Sequence, residues 1–140
     1  MILIAEGGST KCDWAVVDGA SATILKRFQT EGINPFASSA SEIEALLCDV
    51  VVPQIADFAI DSIYLYGAGI TPEKGEWFVA LLSRLFAGAK VSATSDMEGA
   101  ARGTVADGDG IVAILGTGSN SAAYSAGVVT DKAAALGYIL

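Results

Sequence analysis

Two glycine-rich stretches decide how this chain folds: IAEGGSTKCDW at residues 4–14 and AILGTGSNSAAY at residues 113–124. Each places small Gly, Ser and Thr residues directly after an apolar run, where a strand is expected to end. When Gly7 is aligned with Gly116, the order of strand, turn, strand and turn occurs twice. The sequence therefore predicts one complete unit over residues 1–107 and the beginning of a second copy over residues 108–140.

The rest of the chain alternates short apolar runs with helical patterns. Ser41 and Glu44 have the spacing of a capping box, and Pro53 is expected to kink or end that helix. Thr71 with Pro72 suits the start of the next helix. This order predicts an α/β fold: a mixed sheet with a hairpin at its front and crossover helices behind. The predicted strands are residues 1–5, 12–17, 25–30, 62–67, 90–95 and 110–115, and the predicted helices begin at Ser41, Pro72 and Asp96.

Composition limits the classes of function. With 140 residues, of which 52% are hydrophobic, the chain can bury a core. Its formal net charge is −8 and its eight Lys and Arg residues are scattered, so nucleic acid is not expected as a partner. The sequence contains no histidine, which excludes Ser-His-Asp and Cys-His nucleophile systems and zinc sites that need imidazole. A general base would have to be a carboxylate or a rarer group.

Compartment and membrane signals are sparse. Cys12 and Cys48 form no CxxC pair, which favours a reducing cytoplasm over a disulfide framework. The first residues, MILIAEGG, lack the basic region of a signal peptide. Since no apolar run approaches the roughly 20 residues of a membrane span, we expect no membrane partner.

The glycine turns themselves allow two interpretations. Backbone N–H groups of such a turn can bind an anion without a Cβ in the way, and two turns on two lobes could hold one polyphosphate. Each turn alone is also ordinary hairpin chemistry. The P-loop pattern is absent, and GTGSNS has Ser121 where a dinucleotide fingerprint needs its third glycine. The segment SAAYSAGVV reads as a strand and hairpin rather than as the helix of that fingerprint, and DGDG at residues 107–110 reads as a turn.

The combination of motifs resembles the sugar kinase, actin and heat-shock chaperone superfamily, and within it the N-acetylglucosamine kinases and BadF-type ATPases. GGSTKCDW and LGTGSNS match the two phosphate motifs, and EGINP, SDMEGAARG and ALGYIL match in order along the whole chain. The resemblance implies ribonuclease-H-like domains of the actin-like ATPase type, with ATP and Mg²⁺ in the cleft. It also implies that the chain is truncated, because family members are about twice as long and their second domain supplies most of the adenosine pocket.

The family's site residues carry over position by position. Asp96 matches the catalytic base that takes the proton of the sugar hydroxyl, although a Ser-Asp pair before a helix is also typical of an N-cap. Asn34 matches a sugar ligand, although Asn-Pro is also a common turn. The residues expected to bind ATP are Gly7, Gly8, Ser9, Thr10, Lys11, Gly116, Thr117 and Gly118, and those expected to bind sugar are Asn34, Gly69, Asp96, Gly118, Ser119 and Asn120.

Glu6 departs from the family, which usually has Asp at this position to hold Mg²⁺ through water. The additional methylene puts the geometry of that site in question, because Mg²⁺ demands near-ideal octahedral coordination.

The resemblance leaves three functions open. The first is half of an ATP-dependent kinase for N-acetylglucosamine or a related amino sugar, the 140-residue chain alone being inactive. The second is an ATPase that activates a partner enzyme through an iron–sulfur cluster, against which the wide spacing of Cys12 and Cys48 speaks. The third is a binding fragment without catalysis. Exposed strand edges would favour self-association, for instance as a homodimer.

Overall fold

In a computed structural model of the protein, residues 1–106, 108–116, 119–126 and 128–133 are described. Two residues expected to bind phosphate or sugar, Thr117 and Gly118, lie outside the described residues, and so does the ALGYIL segment.

A mixed five-stranded sheet forms the larger part of the protein, as the sequence predicts. Its spatial order is β3-β2-β1-β4-β5. The first three strands are antiparallel neighbours, whereas β1, β4 and β5 run parallel to one another. The strands are β1 (Ile2–Gly7), β2 (Lys11–Asp18), β3 (Thr23–Glu31), β4 (Ser62–Gly67) and β5 (Lys90–Ser95).

Alternation of side chains defines which face of this sheet is covered. Leu3 and Ala5 on β1, and Trp14 and Val16 on β2, are buried at every second position, the period of a strand. They pack with helix residues such as Phe78 into one core cluster. This core fixes the register of the front hairpin, because a slip by one residue would turn every apolar side chain to the other face.

The first helical region starts earlier than expected. Helix α1 (Ala40–Leu46) is capped by Ser39, whose side chain accepts from the Glu42 N–H while the Glu42 carboxylate accepts from the Ser39 N–H. The predicted cap, Ser41 with Glu44, is therefore wrong by two residues. Both pairs have the same Ser-x-x-Glu spacing, so spacing alone does not distinguish them.

Pro53, which was expected to kink or end the helix, lies in the last short helix of this region, after a change of helix type. A π-helical turn (Leu47–Val51) follows α1 and leads into α2 (Val52–Gln54). Because proline has no N–H and its ring crowds the carbonyl four residues earlier, the wider turn accommodates Pro53.

The later helices agree with the sequence expectations. Helix α3 (Pro72–Leu85) is capped by Thr71, which accepts from the Lys74 N–H. Helix α4 (Asp96–Thr104) follows β5 directly. Among the described residues, no helix is long and apolar enough to cross a membrane.

The glycine-rich stretch near the C-terminus builds a second sheet in the order β6-β7-β8. Strands β6 (Gly110–Leu115), β7 (Ser119–Ser125) and β8 (Val128–Lys132) are antiparallel neighbours. The meander repeats the arrangement of β1, β2 and β3, as the internal repeat predicts. It also shows that strands, not the helix of a dinucleotide fingerprint, follow GTGSNS.

Helix α4 joins the two sheets. Met97 and Ala101 on its buried face pack with Val112, Ala122 and Tyr124 of the second sheet in a separate core cluster. The same helix contacts β1, β4 and β5 of the first sheet. Helix α4 therefore packs against both sheets.

Candidate functional site

The first phosphate motif forms the turn between β1 and β2. The Gly8 N–H donates to the Lys11 carbonyl at 2.8 Å, which closes the turn. A Cβ at Gly7 would lie 2.7 Å from Ile33 Cγ1, and one at Gly8 would lie 3.3 Å from the Lys11 carbonyl oxygen. Gly7 is therefore required by core packing, whereas Gly8 serves the turn itself. Ser9 and Thr10 lie at its tip, where they are exposed.

The loop after β3 lies directly on this turn. The Gly32 N–H donates to the Thr10 carbonyl at 3.2 Å, and a Cβ at Gly32 would lie 2.5 Å from the Gly8 carbonyl oxygen. Asn34 Nδ2 donates to Ser9 Oγ at 2.7 Å. The expected phosphate turn and the expected sugar loop are thus in direct contact.

A third loop, after β4, meets the other two. The Ala68 N–H donates to the Gly7 carbonyl at 2.7 Å. Gly69 has φ +76°, and a Cβ there would overlap Asn34 Oδ1 and lie 2.7 Å from Phe36 Cδ2. Only glycine meets both requirements, a left-handed backbone and close approach to the Asn34 side chain. The parallel strands bring these loops to one edge of the sheet.

Asp96 lies at the same edge, at the first position of α4. The N-cap is Ser95, whose side chain accepts from the Glu98 N–H at 3.3 Å, so the capping interpretation of Asp96 is wrong by one residue. Asp96 Oδ1 accepts from the Met97 N–H at 2.9 Å. Within the described ranges, no residue donates a hydrogen bond to Asp96 Oδ2. One carboxylate oxygen is fixed by the helix, and the other is available to a ligand.

A cavity of about 510 Å³ lies between this edge and the second sheet. It brings together Gly69, Asp96 and Asn120, three of the residues expected to bind sugar. The complete lining is Gly69, Ile70, Thr71, Pro72, Ala93, Thr94, Ser95, Asp96, Glu98, Asn120 and Lys132. The lining supplies hydroxyls, carboxylates, an amide and an ammonium beside apolar side chains, a combination that suits a polar small molecule.

Two polar atoms of this lining are buried without a hydrogen-bond partner in the described structure: Thr94 Oγ1 and Asn120 Oδ1. A buried polar atom without a partner is costly, and a bound ligand or water would supply the missing hydrogen bond. Asn120 was expected from the second phosphate motif. Thr94 and Lys132 were missed, since only the fold brings strands β5 and β8 to the same helix, α4.

Some predicted residues lie elsewhere. Gly116 follows β6, and a Cβ there would meet nothing within 4 Å, so packing does not explain its glycine. Ser119 begins β7. The Lys11 ammonium forms an ion pair with the Asp13 carboxylate at 2.9 Å.

The carboxylates beside the turn influence one another. Burial raises the pKa of Glu6, and the negative charges of Asp13 and Asp96 raise it further, while Lys11 opposes them. A cation near Glu6 would relieve this repulsion. In the part of the chain that the structure describes, no cluster of three or more Cys, Asp or Glu side chains is arranged to hold a metal ion. Glu6 is thus a single carboxylate, which could hold an ion that keeps most of its own water ligands.

A second groove, of about 500 Å³, lies over the outer face of the hairpin. Of the predicted site residues its lining includes only Glu6; Asp13, Arg27 and Gln29 supply most of its other polar groups. Volume therefore does not distinguish the two concavities. The convergence of Gly69, Asp96 and Asn120 identifies the cavity beside α4 as the candidate site.

Comparisons with known proteins concern the sequence and the fold. No protein-family model and no curated protein matches the chain. Among solved structures, a proposed N-acetylglucosamine kinase from Porphyromonas gingivalis is 41% identical, with a TM-score of 0.92 over 100% of this chain and 50% of its own.

Two further structures show the fold alone. A proposed N-acetylglucosamine kinase from Chromobacterium violaceum is 15% identical, with a TM-score of 0.68 over 93% of this chain and 47% of its own. A proposed N-acetylmannosamine kinase from Listeria monocytogenes is 18% identical, with a TM-score of 0.63 over 92% of this chain and 48% of its own.

The chain spans about half the length of the solved structures it matches. Three findings support this similarity: the glycine turns, the repeated meander, and the 41% identity along the whole chain. In sequence and fold the chain is therefore similar to half of a proposed N-acetylglucosamine kinase, and its α/β fold is of the actin-like ATPase type.

Proposed function

We propose that the chain is the N-terminal part of an ATP-dependent sugar kinase that phosphorylates N-acetylglucosamine or a related amino sugar. The observation that carries the proposal is the position of Asp96. Its Oδ1 is fixed by the Met97 N–H at 2.9 Å, and the residue lines a cavity with Gly69 and Asn120. A carboxylate held in this way can accept the proton of a sugar hydroxyl while its other oxygen stays accessible.

In this proposal the remaining residues position the two substrates. The turn of Gly7, Gly8, Ser9, Thr10 and Lys11 and the turn of Gly116, Thr117 and Gly118 bind the phosphates of ATP. Asn34, Gly69, Gly118, Ser119 and Asn120 contact the sugar. Kinases of this kind act mainly by positioning and by electrostatic stabilisation, so backbone donors and amide groups are suitable components.

Glu6 would hold Mg²⁺ through water, with Asp96 contributing to the negative field at that position. When bound, the ion would neutralise charge on the transferred phosphate. Glu6 itself would orient the water between the protein and the ion.

We further propose a domain boundary near residue 107 and a cytoplasmic location. The sheet arrangement supports the boundary, because all strands up to β5 belong to the five-stranded sheet and the three-stranded sheet begins with β6 (Gly110–Leu115). The two cysteines are free, Cys12 within the core, which is compatible with a reducing compartment.

An ADP-release assay with N-acetylglucosamine and a panel of sugars tests the kinase. It uses the longest product of the gene and, beside it, the 140-residue chain. We expect sugar-dependent ADP release from the longer product, and a loss of at least about a hundredfold in Asp96→Asn. Asp57→Asn, an exposed carboxylate outside the cavity lining, is the matched control and should keep full activity.

Two results would contradict the kinase proposal and favour another function. ATP hydrolysis indifferent to every sugar and to Asp96 would favour the partner-activating ATPase, although the two cysteines of this chain are poorly placed to hold a cluster. Sugar binding without ADP release would favour a binding protein.

The 140-residue chain alone is expected to be inactive and to self-associate. Ile111 and Leu115 on β6 are 83% and 85% exposed, so the second sheet presents an apolar surface. Size-exclusion chromatography with light scattering measures the association. A fully active monomer of the 140-residue chain would contradict this expectation.

A further inference from the structure

The side chains of Ser9 and Asn34 connect two loops that are 25 positions apart in the sequence. Ser9 is at the tip of the turn expected to bind phosphate, and Asn34 is in the loop expected to bind sugar. Asn34 Nδ2 donates to Ser9 Oγ at 2.7 Å. Because Ser9 Oγ accepts this hydrogen bond, its own hydroxyl proton can still be donated to a phosphate oxygen.

The orientation of the Asn34 amide is fixed at both ends. While Nδ2 donates to Ser9, Oδ1 accepts from the Phe36 N–H at 2.9 Å. An amide has two N–H donors and an oxygen with two lone pairs, so one donor and one lone pair remain for a ligand. Rotation of the amide by half a turn would break both hydrogen bonds, and the Ser9 contact therefore determines which group the amide presents to a sugar hydroxyl.

Close backbone packing transmits a displacement of the turn to the loop. The Gly32 N–H donates to the Thr10 carbonyl at 3.2 Å, and there is no room for a Cβ between Gly32 and the Gly8 carbonyl. On the far side, Gly69 packs against the Asn34 amide. Asn34 is thus held between the phosphate turn and the loop after β4.

We infer that Ser9 is a positioning residue that couples nucleotide binding to sugar binding. When its hydroxyl donates to a phosphate, the oxygen becomes a better acceptor for Asn34, because hydrogen bonds in a chain polarise one another. The bound nucleotide then holds the Asn34 amide in the orientation that a sugar hydroxyl needs. The inference rests on the proposed function. It adds that nucleotide binding at the turn favours sugar binding at Asn34.

Calorimetric titration with N-acetylglucosamine tests the coupling. The longest product of the gene is titrated with and without a non-hydrolysable ATP analogue and Mg²⁺. In the wild type we expect the analogue to raise sugar affinity roughly fivefold. In Ser9→Ala, sugar affinity without nucleotide should fall about fivefold, since one hydrogen bond to Asn34 is lost, and the analogue should no longer raise it.

Two further variants separate positioning from other roles of a serine. Ser9→Thr keeps the hydroxyl and should restore most of the coupling. Ser21→Ala removes a hydroxyl from the turn at the opposite end of β2 and should leave the coupling unchanged. If Ser9→Ala weakens only nucleotide binding and keeps the wild-type sugar affinity and coupling, Ser9 is merely a phosphate ligand and the inference is overturned.

A second readout distinguishes failure of the inference from failure of the kinase proposal. The side-chain amide resonances of Asn34 in NMR spectra are recorded while the ATP analogue is added, without sugar. A shift in the wild type that is absent in Ser9→Ala supports the inference even if no sugar binds. Unchanged Asn34 resonances in the nucleotide-saturated wild type overturn it, and a protein that binds no nucleotide overturns both proposals.

Discussion

Glu6 and Asp13 face each other across the β1–β2 ladder, but their carboxylates have opposite electrostatic environments. Asp13 accepts hydrogen bonds from Gln29 Nε2 at 2.7 Å and from Lys11 Nζ at 2.9 Å, which lower its pKa. Burial raises the pKa of Glu6, and Asp13 and Asp96 raise it further. Glu6 is therefore the carboxylate whose ionisation the fold disfavours.

This difference predicts that Glu6→Gln stabilises the protein near neutral pH. A carboxyl group whose pKa is raised by folding contributes stability at low pH, and this stability is lost as pH rises through the folded pKa. Near pH 7 the ionised Glu6 side chain is destabilising and Gln is not. Because Glu6 is partly exposed, solvent screens much of this effect, and the variant should melt only slightly higher than the wild type. Below the ordinary Glu pKa of 4.5 the two should melt together.

Thermal unfolding followed by circular dichroism at several pH values measures this effect. Glu76→Gln, an exposed residue of α3, is the control and should match the wild type throughout. A lower melting temperature of Glu6→Gln near pH 7, or a difference that persists in acid, would contradict the electrostatic account.

Gly69→Ala should weaken sugar binding through Asn34. The added Cβ would overlap Asn34 Oδ1 and strain a backbone with φ +76°. Gly88→Ala provides a matched control, because Gly88 has φ +89° but nothing within 4 Å of the added Cβ. Both variants should lose about 1–2 kcal/mol of unfolding free energy. Only Gly69→Ala should raise the KM for sugar, by roughly tenfold or more, and equal KM values in the two variants would argue against a role of Gly69 at the site.

Two glycines of α4 predict opposite effects on stability. A Cβ at Gly99 would lie 2.6 Å from Tyr66 Cγ, whereas one at Gly103 would meet nothing within 4 Å. Gly99→Ala should push α4 away from β4 and cost about 1–3 kcal/mol. Gly103→Ala should stabilise the protein by up to about 1 kcal/mol through helix propensity. Urea unfolding measures both, and stabilisation by Gly99→Ala would show that α4 does not pack closely on Tyr66.

The capping of α1 predicts that Ser39 and Ser41 contribute differently to stability. Ser39→Ala removes both the acceptor for the Glu42 N–H and the hydroxyl bound to the Glu42 carboxylate at 2.6 Å. We expect it to cost about 1 kcal/mol in urea unfolding. Ser41→Ala, within the first turn, should change stability by less than about 0.5 kcal/mol. If Ser41→Ala lost more stability than Ser39→Ala, Ser41 and not Ser39 would be the N-cap.

Local patterns in the sequence predicted most of the fold. Strands β4, β5 and β6 have their predicted bounds, and Thr71 caps α3, because alternating burial and capping are properties of neighbouring residues. The cap of α1 was misplaced because Ser39 and Ser41 are each followed by Glu three residues later. The choice between them depends on how the loop after Asn34 approaches the sheet, which is a tertiary property.

The candidate site was predicted only where it lies in motifs. Asp96, Asn34 and Asn120 could be named from the sequence because each belongs to a recognisable short stretch. Lys132 and Thr94 belong to none, and they reach the cavity only because β8 and β5 approach the same helix. The hydrogen bond between Ser9 and Asn34 likewise depends on contact between loops that are distant in sequence.

Helix α4 contacts strands of both sheets and has Asp96 at its first position. If the second sheet rotated about the axis of this helix, the displacement of each strand would grow with its distance from that axis. Strand β8, at the far edge of the sheet, would then move further than β6, while the Asp96 carboxylate at the end of the helix would hardly move. Such a rotation would change the width of the cavity and leave the position of the Asp96 carboxylate almost unchanged.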